Sequence, residues 1–224
     1  MKQFLFAAVL ATGLAACNSN GTQHSGHNDS TVNDAHQHGS TDTGHRPHSS
    51  ADQSMMSLMS GMMDSMNALK PSGNADRDFA ALMRAHHVGA IEMARLEAGN
   101  GKDPQIRQMA QKMVDDQKRE VADFDNALSG QQAQGGSDAF FKESMVVMNN
   151  MKMDMDHSGS IDKQFVEMMI PHHQTAIDMA RIYLKHNPQN EKLKTIATNI
   201  ITSQQKEIDE MKAWLEKVEA SRKP

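Results

Sequence analysis

Asp162-Lys-Gln-Phe165-Val-Glu-Met-Met169-Ile-Pro-His172-His173-Gln-Thr-Ala-Ile177-Asp178-Met179-Ala180-Arg181 is the stretch whose reading decides the fold. It has a double 86 residues upstream, aligned without a gap: Asp76-Arg-Asp-Phe79-Ala-Ala-Leu-Met83-Arg-Ala-His86-His87-Val-Gly-Ala-Ile91-Glu92-Met93-Ala94-Arg95. Apolar residues recur at intervals of three and four, the period of a helix with one buried face. The chain therefore carries two copies of one helix, each with a His-His pair and flanking methionines.

Outward from this pair, the same periodicity defines six helical segments: roughly 52–69, 76–98, 103–128, 138–155, 161–186 and 189–219. Asp103 and Pro104 form an N-cap and first-turn signature, and Asn187-Pro188 a stop. Strand patterns are scarce. Each half of the repeat is a Met-rich segment, a His-His helix and a third helix carrying Gln-Lys. Four long helices with short loops predict an all-α antiparallel four-helix bundle of two pseudo-symmetric halves, 55–129 and 138–220. The two Met-rich segments are expected to pack on it as flanking helices.

The heptad stripes show which side chains face inward. In the repeated helices they are Phe79, Met83, His86, Ala90, Met93 and Phe165, Met169, His172, Ala176, Met179. In the third helices they run through Ile106, Ala110, Met113, Gln117, Val121, Phe124 and Leu193, Ala197, Ile200, Gln204, Ile208, Met211, Leu215. Two histidines and two glutamines thus enter a core that leucine could fill. A buried polar group without a partner costs about 1–3 kcal/mol. Such a layer is either a closed hydrogen-bond network, His86 and His172 to Gln117 and Gln204, or a ligand set. His87 and His173 lie about 100° further round, toward a flanking helix or the surface. Pro171 stands where the first copy has Ala85, so the two pairs are expected to differ in geometry.

Methionine outnumbers leucine, 20 to 11. One ladder runs Met55, Met56, Met59, Met62, Met63, Met66, and a second runs Met145, Met148, Met151, Met153, Met155 to His157. Methionine at helical spacing is ordinarily core filler. Serine and glycine between the methionines make these segments poor core helices, and thioether sulfur favours Cu(I) or Ag(I). The expected metal centre is Met83, His86, His87 and Met93 with Met169, His172, His173 and Met179. Met93 and Met179, two turns beyond the first histidine, suit a second ion.

Met1-Lys2 and the apolar run Phe4 to Ala16 form a secretory h-region, too short to span a membrane as a mature helix. Its end, Leu14-Ala15-Ala16-Cys17, resembles a bacterial lipoprotein signal: 1–16 removed, the sulfur of Cys17 lipidated. Cys17 is the only cysteine, which excludes an internal disulfide and cysteine-based metal sites. Residues 17–54 read as a lipidated tether with little apolar content, carrying His24, His27, His36, His38, His45 and His48 as an arm suited to Cu(II). Expected residence is the bacterial envelope, periplasmic or associated with the outer membrane, held there only through Cys17. A net charge of −5 without a basic patch argues against nucleic acid.

The block Phe165-x-x-x-Met169-Ile-Pro-His172-His173-Gln-x-Ala-Ile-x-Met179-Ala, with its degenerate copy at 79–94, resembles the DUF305 family. The resemblance covers about residues 75–217 and implies a ferritin-like four-helix bundle; some members resemble periplasmic copper-binding proteins of copper tolerance. The expected function is copper sequestration or chaperoning, silver included, with a copper-efflux or copper-delivery protein as partner. A ferritin-like oxidoreductase is the alternative, disfavoured by the absence of Glu-x-x-His. A purely structural bundle is the third reading. Glu92 and Asp178 fall off the histidine stripe and are expected in ion pairs with Arg95 and Arg181.

Overall fold

A computed structural model of the chain describes residues 54–130, 138–151 and 159–221. Cys17, the histidine arm, Met153, Met155 and His157 lie outside them. Six helices follow one another: α1 (Met55–Asn67), α2 (Ala75–Asn100), α3 (Pro104–Gly130), α4 (Ala139–Asn149), α5 (Ile161–Lys185) and α6 (Glu191–Ala220), with no strand among the described residues. The α2–α3 and α5–α6 connections are short, so each pair folds back as an antiparallel hairpin, and α2 packs on α5 across the centre. The ends have local causes. Asp103 Oδ1 accepts from the backbone N–H of Gln105 and Ile106 at 2.8 and 3.2 Å, capping α3. At the end of α5, Asn187 takes φ 51°, a left-handed turn that asparagine tolerates.

The two hairpins are clasped reciprocally. Asp76, at the start of α2, accepts from the Tyr183 hydroxyl at 2.6 Å and from the backbone N–H of Gln189 at 3.2 Å. Asp162, at the start of α5, accepts from the backbone N–H of Lys102 and of Asp103, both at 2.7 Å. Each repeat's first aspartate thus ties down the loop that closes the other repeat's helix. Tyr183 corresponds to Glu97, 86 residues earlier, and Glu97 is fully buried beside Asp162. Burial, with the Asp162 carboxylate second, pushes the Glu97 carboxyl up to about 8. Burial alone would raise Asp162, but the N–H groups of Asp103 and Lys102 outweigh it and hold that carboxyl below its ordinary value. Protonated Glu97 therefore takes the place of the tyrosine hydroxyl. Gly101 makes room for it: a Cβ there would lie 1.9 Å from Glu97 Oε1.

The flanking helices correct one expectation. Met55, Met59, Met62 and Met66 are all buried, and the intervening serines and Gly61 face solvent. Helix α1 is a core helix whose apolar face is almost entirely methionine, lying on α2 and touching α5. Its small polar residues mark its outer face only. Helix α4 ends at Asn149, with Met148 buried and Met145 and Met151 half-buried.

Candidate metal centre

The repeated stripes meet where α2 crosses α5. His86 and His172 are fully buried, their rings 3.7 Å apart between centroids and inclined at 33°. Met83, Met93, Met169 and Met179 are fully buried on the same stripes. Burial first, and then the neighbouring histidines, hold both imidazoles well below their ordinary pKa, so each is neutral. His172 Nε2 lies 3.2 Å from the Met62 sulfur; neither ring nitrogen of His86 has a hydrogen-bond partner.

The second histidine of each pair turns to a flanking helix. His87 Nε2 meets Glu120 of α3 at 2.8 Å, and His173 Nε2 meets Glu207 of α6 at 2.8 Å. A carboxylate only accepts, so Nε2 of each ring carries a hydrogen, and Nδ1 is the ring atom left to act as a donor to a metal. Both Nδ1 atoms are buried without a partner. Glu120 and Glu207 were not among the residues expected from sequence. Their signal is present: Gln117-Lys-Arg-Glu120 and Gln204-Gln-Lys-Glu207 repeat a Gln-x-x-Glu spacing that puts both side chains on one face.

The hydrogen-bond network between histidine and glutamine does not form. Gln117 and Gln204 are buried, as their stripes require, but the Oε1 of each has no partner. With four Nδ1 atoms and His86 Nε2, seven buried polar atoms of one layer lack partners. At about 1–3 kcal/mol each, their cost rivals the roughly 5–15 kcal/mol net stability of a typical domain. Lone pairs this concentrated, beside thioether sulfur, fit a soft cation. Among the described residues no three His, Cys, Asp or Glu side chains converge as a ready metal set.

Pro171 does not make the pairs differ. The rings of His86 and His87 are 6.1 Å apart at 53°, those of His172 and His173 6.1 Å apart at 54°. Helix α5 continues through the proline. Asymmetry enters through α1: Met62 reaches His172, and it sits against Gly89, where a Cβ would lie 2.5 Å from its Cγ. The second repeat has Thr175 at that position. Glu92 and Asp178 pair with Arg95 and Arg181 at 2.6 and 3.4 Å on the surface, as expected.

Fold and site together define a class: a two-repeat helical bundle with histidine and methionine buried at its centre. The chain belongs to the DUF305 family, a domain of unknown function, which it matches over residues 19–128 and 162–224. Among solved structures it is similar to CopM in its silver-bound form, with 28% identity over 63% of this chain and 95% of that one and a TM-score of 0.50. CopM in its Cu(I)-bound form aligns at 27% identity over 63% and 96% of the two chains, TM-score 0.49. Uncharacterized protein L153 of Acanthamoeba polyphaga mimivirus is 44% identical over 55 residues, 25% of this chain and 36% of that protein. The match thus spans little more than a third of that relative.

Proposed function

We propose that this protein binds a soft monovalent ion, Cu(I) or Ag(I), in the histidine–methionine layer and serves copper sequestration or chaperoning in the bacterial envelope. The observation that carries the reading is the set of unpartnered ring nitrogens around the closely apposed His86 and His172, with the Met62 sulfur 3.2 Å from His172 Nε2. The Nδ1 atoms of His87 and His173 would supply further donors, oriented by Glu120 and Glu207. Thioether and neutral imidazole together favour Cu(I) and Ag(I) over Mg²⁺ or Ca²⁺. The likeness to silver-bound CopM supports the choice of ion. The lipid anchor at Cys17, Cu(II) capture by the histidine arm and exchange with a copper-efflux or copper-delivery protein belong to the same proposal and rest on sequence patterns.

The oxidoreductase reading is weaker. Glu120 and Glu207 bring two carboxylates to the histidines, fewer than a di-metal carboxylate site employs. The test is the double variant His86→Gln/His172→Gln. Its metal-free stability stays close to the parent's, because both nitrogens of His86 and Nδ1 of His172 lack partners and His172 Nε2 meets only the Met62 sulfur. Its affinity for Cu(I) falls at least about tenfold, roughly 1.4 kcal/mol. Unchanged affinity with lower metal-free stability would identify the layer as structural.

A further inference from the structure

Helices α3 and α6 touch only slightly, and a cleft of about 330 Å³ opens between them. Its walls include Gln117 and Glu120 from α3 and Gln204 and Glu207 from α6. These are the residues that back the histidine layer. Gln117 and Gln204 are 4% and 3% exposed, and the Oε1 of each is a buried acceptor without a partner. The side chains of Glu120 and Glu207 are 23% and 12% exposed while their carboxylates meet buried imidazoles, so each spans from the cleft to the histidine layer. Behind each carboxylate one ring separates the cleft from the central pair. His87 lies 6.1 Å from His86, and His173 lies 6.1 Å from His172.

We propose that the α3–α6 cleft is the port through which the metal ion reaches the buried layer, Gln117, Gln204, Glu120 and Glu207 forming an oxygen-lined vestibule. The inference rests on the proposed metal-binding function. Other charges at the rim are largely neutralised: Asp123 pairs with Lys192 at 2.6 Å, and Asp116 with Lys112 and Arg119. Lys112 also stands 3.6 Å from Glu207. Of the two inward glutamates Glu207 shares Lys112, and Glu120 has no lysine or arginine ion pair among the described residues. Oxygen donors bind a soft ion weakly, and nitrogen and sulfur bind it more strongly. The donor set grows softer from cleft to centre, so an ion is drawn inward without being held at the mouth.

The test uses two exposed residues of the cleft rim in the full chain. Asn199 and Ser203 line the cleft on the outer face of α6. Asn199→Arg/Ser203→Arg puts two positive charges at the mouth, the second one helical turn from Glu207. Val146→Arg/Gln174→Arg puts the same charge on the α4–α5 cleft as a control. Ag(I) is the probe. Its binding rate is followed by stopped flow, and its arrival by the ¹⁵N shifts of the four histidines. Expected is at least a tenfold slower rate in the α3–α6 variant alone, with final stoichiometry and melting temperature unchanged. If the double variant melts early, Asn199→Arg alone, two turns from Glu207, carries the test. Equal rates in all three proteins, or equal slowing in the control, overturn the port and leave the metal centre standing. Histidine shifts that never move in the parent overturn the metal centre itself, and the port with it.

Discussion

Gly89 shows how much one missing side chain can decide. Glycine inside a helix costs about 0.5–1 kcal/mol relative to alanine, and here it sits in the middle of α2, three residues past His86. Its use is the close approach of α1: a Cβ would meet Met62 Cγ at 2.5 Å and Cβ at 2.6 Å. The second contact lies too near the backbone for the methionine simply to swing aside. Gly89→Ala is therefore expected to gain helix propensity but lose more to overpacking, for a net destabilisation of about 1–2 kcal/mol. It should also draw the sulfur away from His172 and weaken Ag(I) binding several-fold. Urea unfolding and a silver titration check both parts; a variant more stable than the parent with full silver affinity would show that α1 is free to shift.

At the scale of helices, the Asp76–Tyr183 and Asp162–Glu97 clasps are one device built twice, with different acids. The tyrosine version is insensitive to pH in the ordinary range, because burial raises its phenol still further. The glutamate version is not. A carboxyl raised to about 8 in the fold binds its proton more tightly there than in the unfolded chain. Its contribution is whole below the ordinary value of 4.5, declines as pH rises toward 8, and is gone above it. Glu97→Gln keeps a hydrogen-bond donor and removes the titration. The expected outcome is a melting temperature that changes less between pH 5 and pH 9 than the parent's, the variant being the more stable of the two at pH 9. Parallel curves for the two proteins would contradict the protonated clasp.

The whole molecule responds to acid through its centre. His86 and His172 are neutral in the fold and protonate near 6.5 when unfolded. Their stabilisation is fully present above that value and is lost as pH falls below it, by up to about 1.4 kcal/mol per pH unit for each ring. The metal-free protein should therefore weaken between pH 6.5 and pH 4.5 more steeply than His86→Gln/His172→Gln, a difference that melting curves in matched buffers read directly. Bound Cu(I) or Ag(I) should flatten the parent's curve, since the ion takes the lone pairs that protons would otherwise occupy.

Sequence alone determined the helices, their order and the buried stripes. These depend on local periodicity, and the 86-residue repeat states it twice. It also determined that two histidines and two glutamines enter the core, since a heptad position does not depend on what lies opposite. What lies opposite was decided by tertiary structure. Glu120 and Glu207 reach the second histidines only because α3 and α6 pack beside α2 and α5. Met62 is chosen from its ladder by the depth to which Gly89 admits α1. The glutamines face a cleft because α3 and α6 stand apart. Side-chain partners across helices depend on crossing distance and axial register, set by the packing of all six helices together, and no local pattern encodes either.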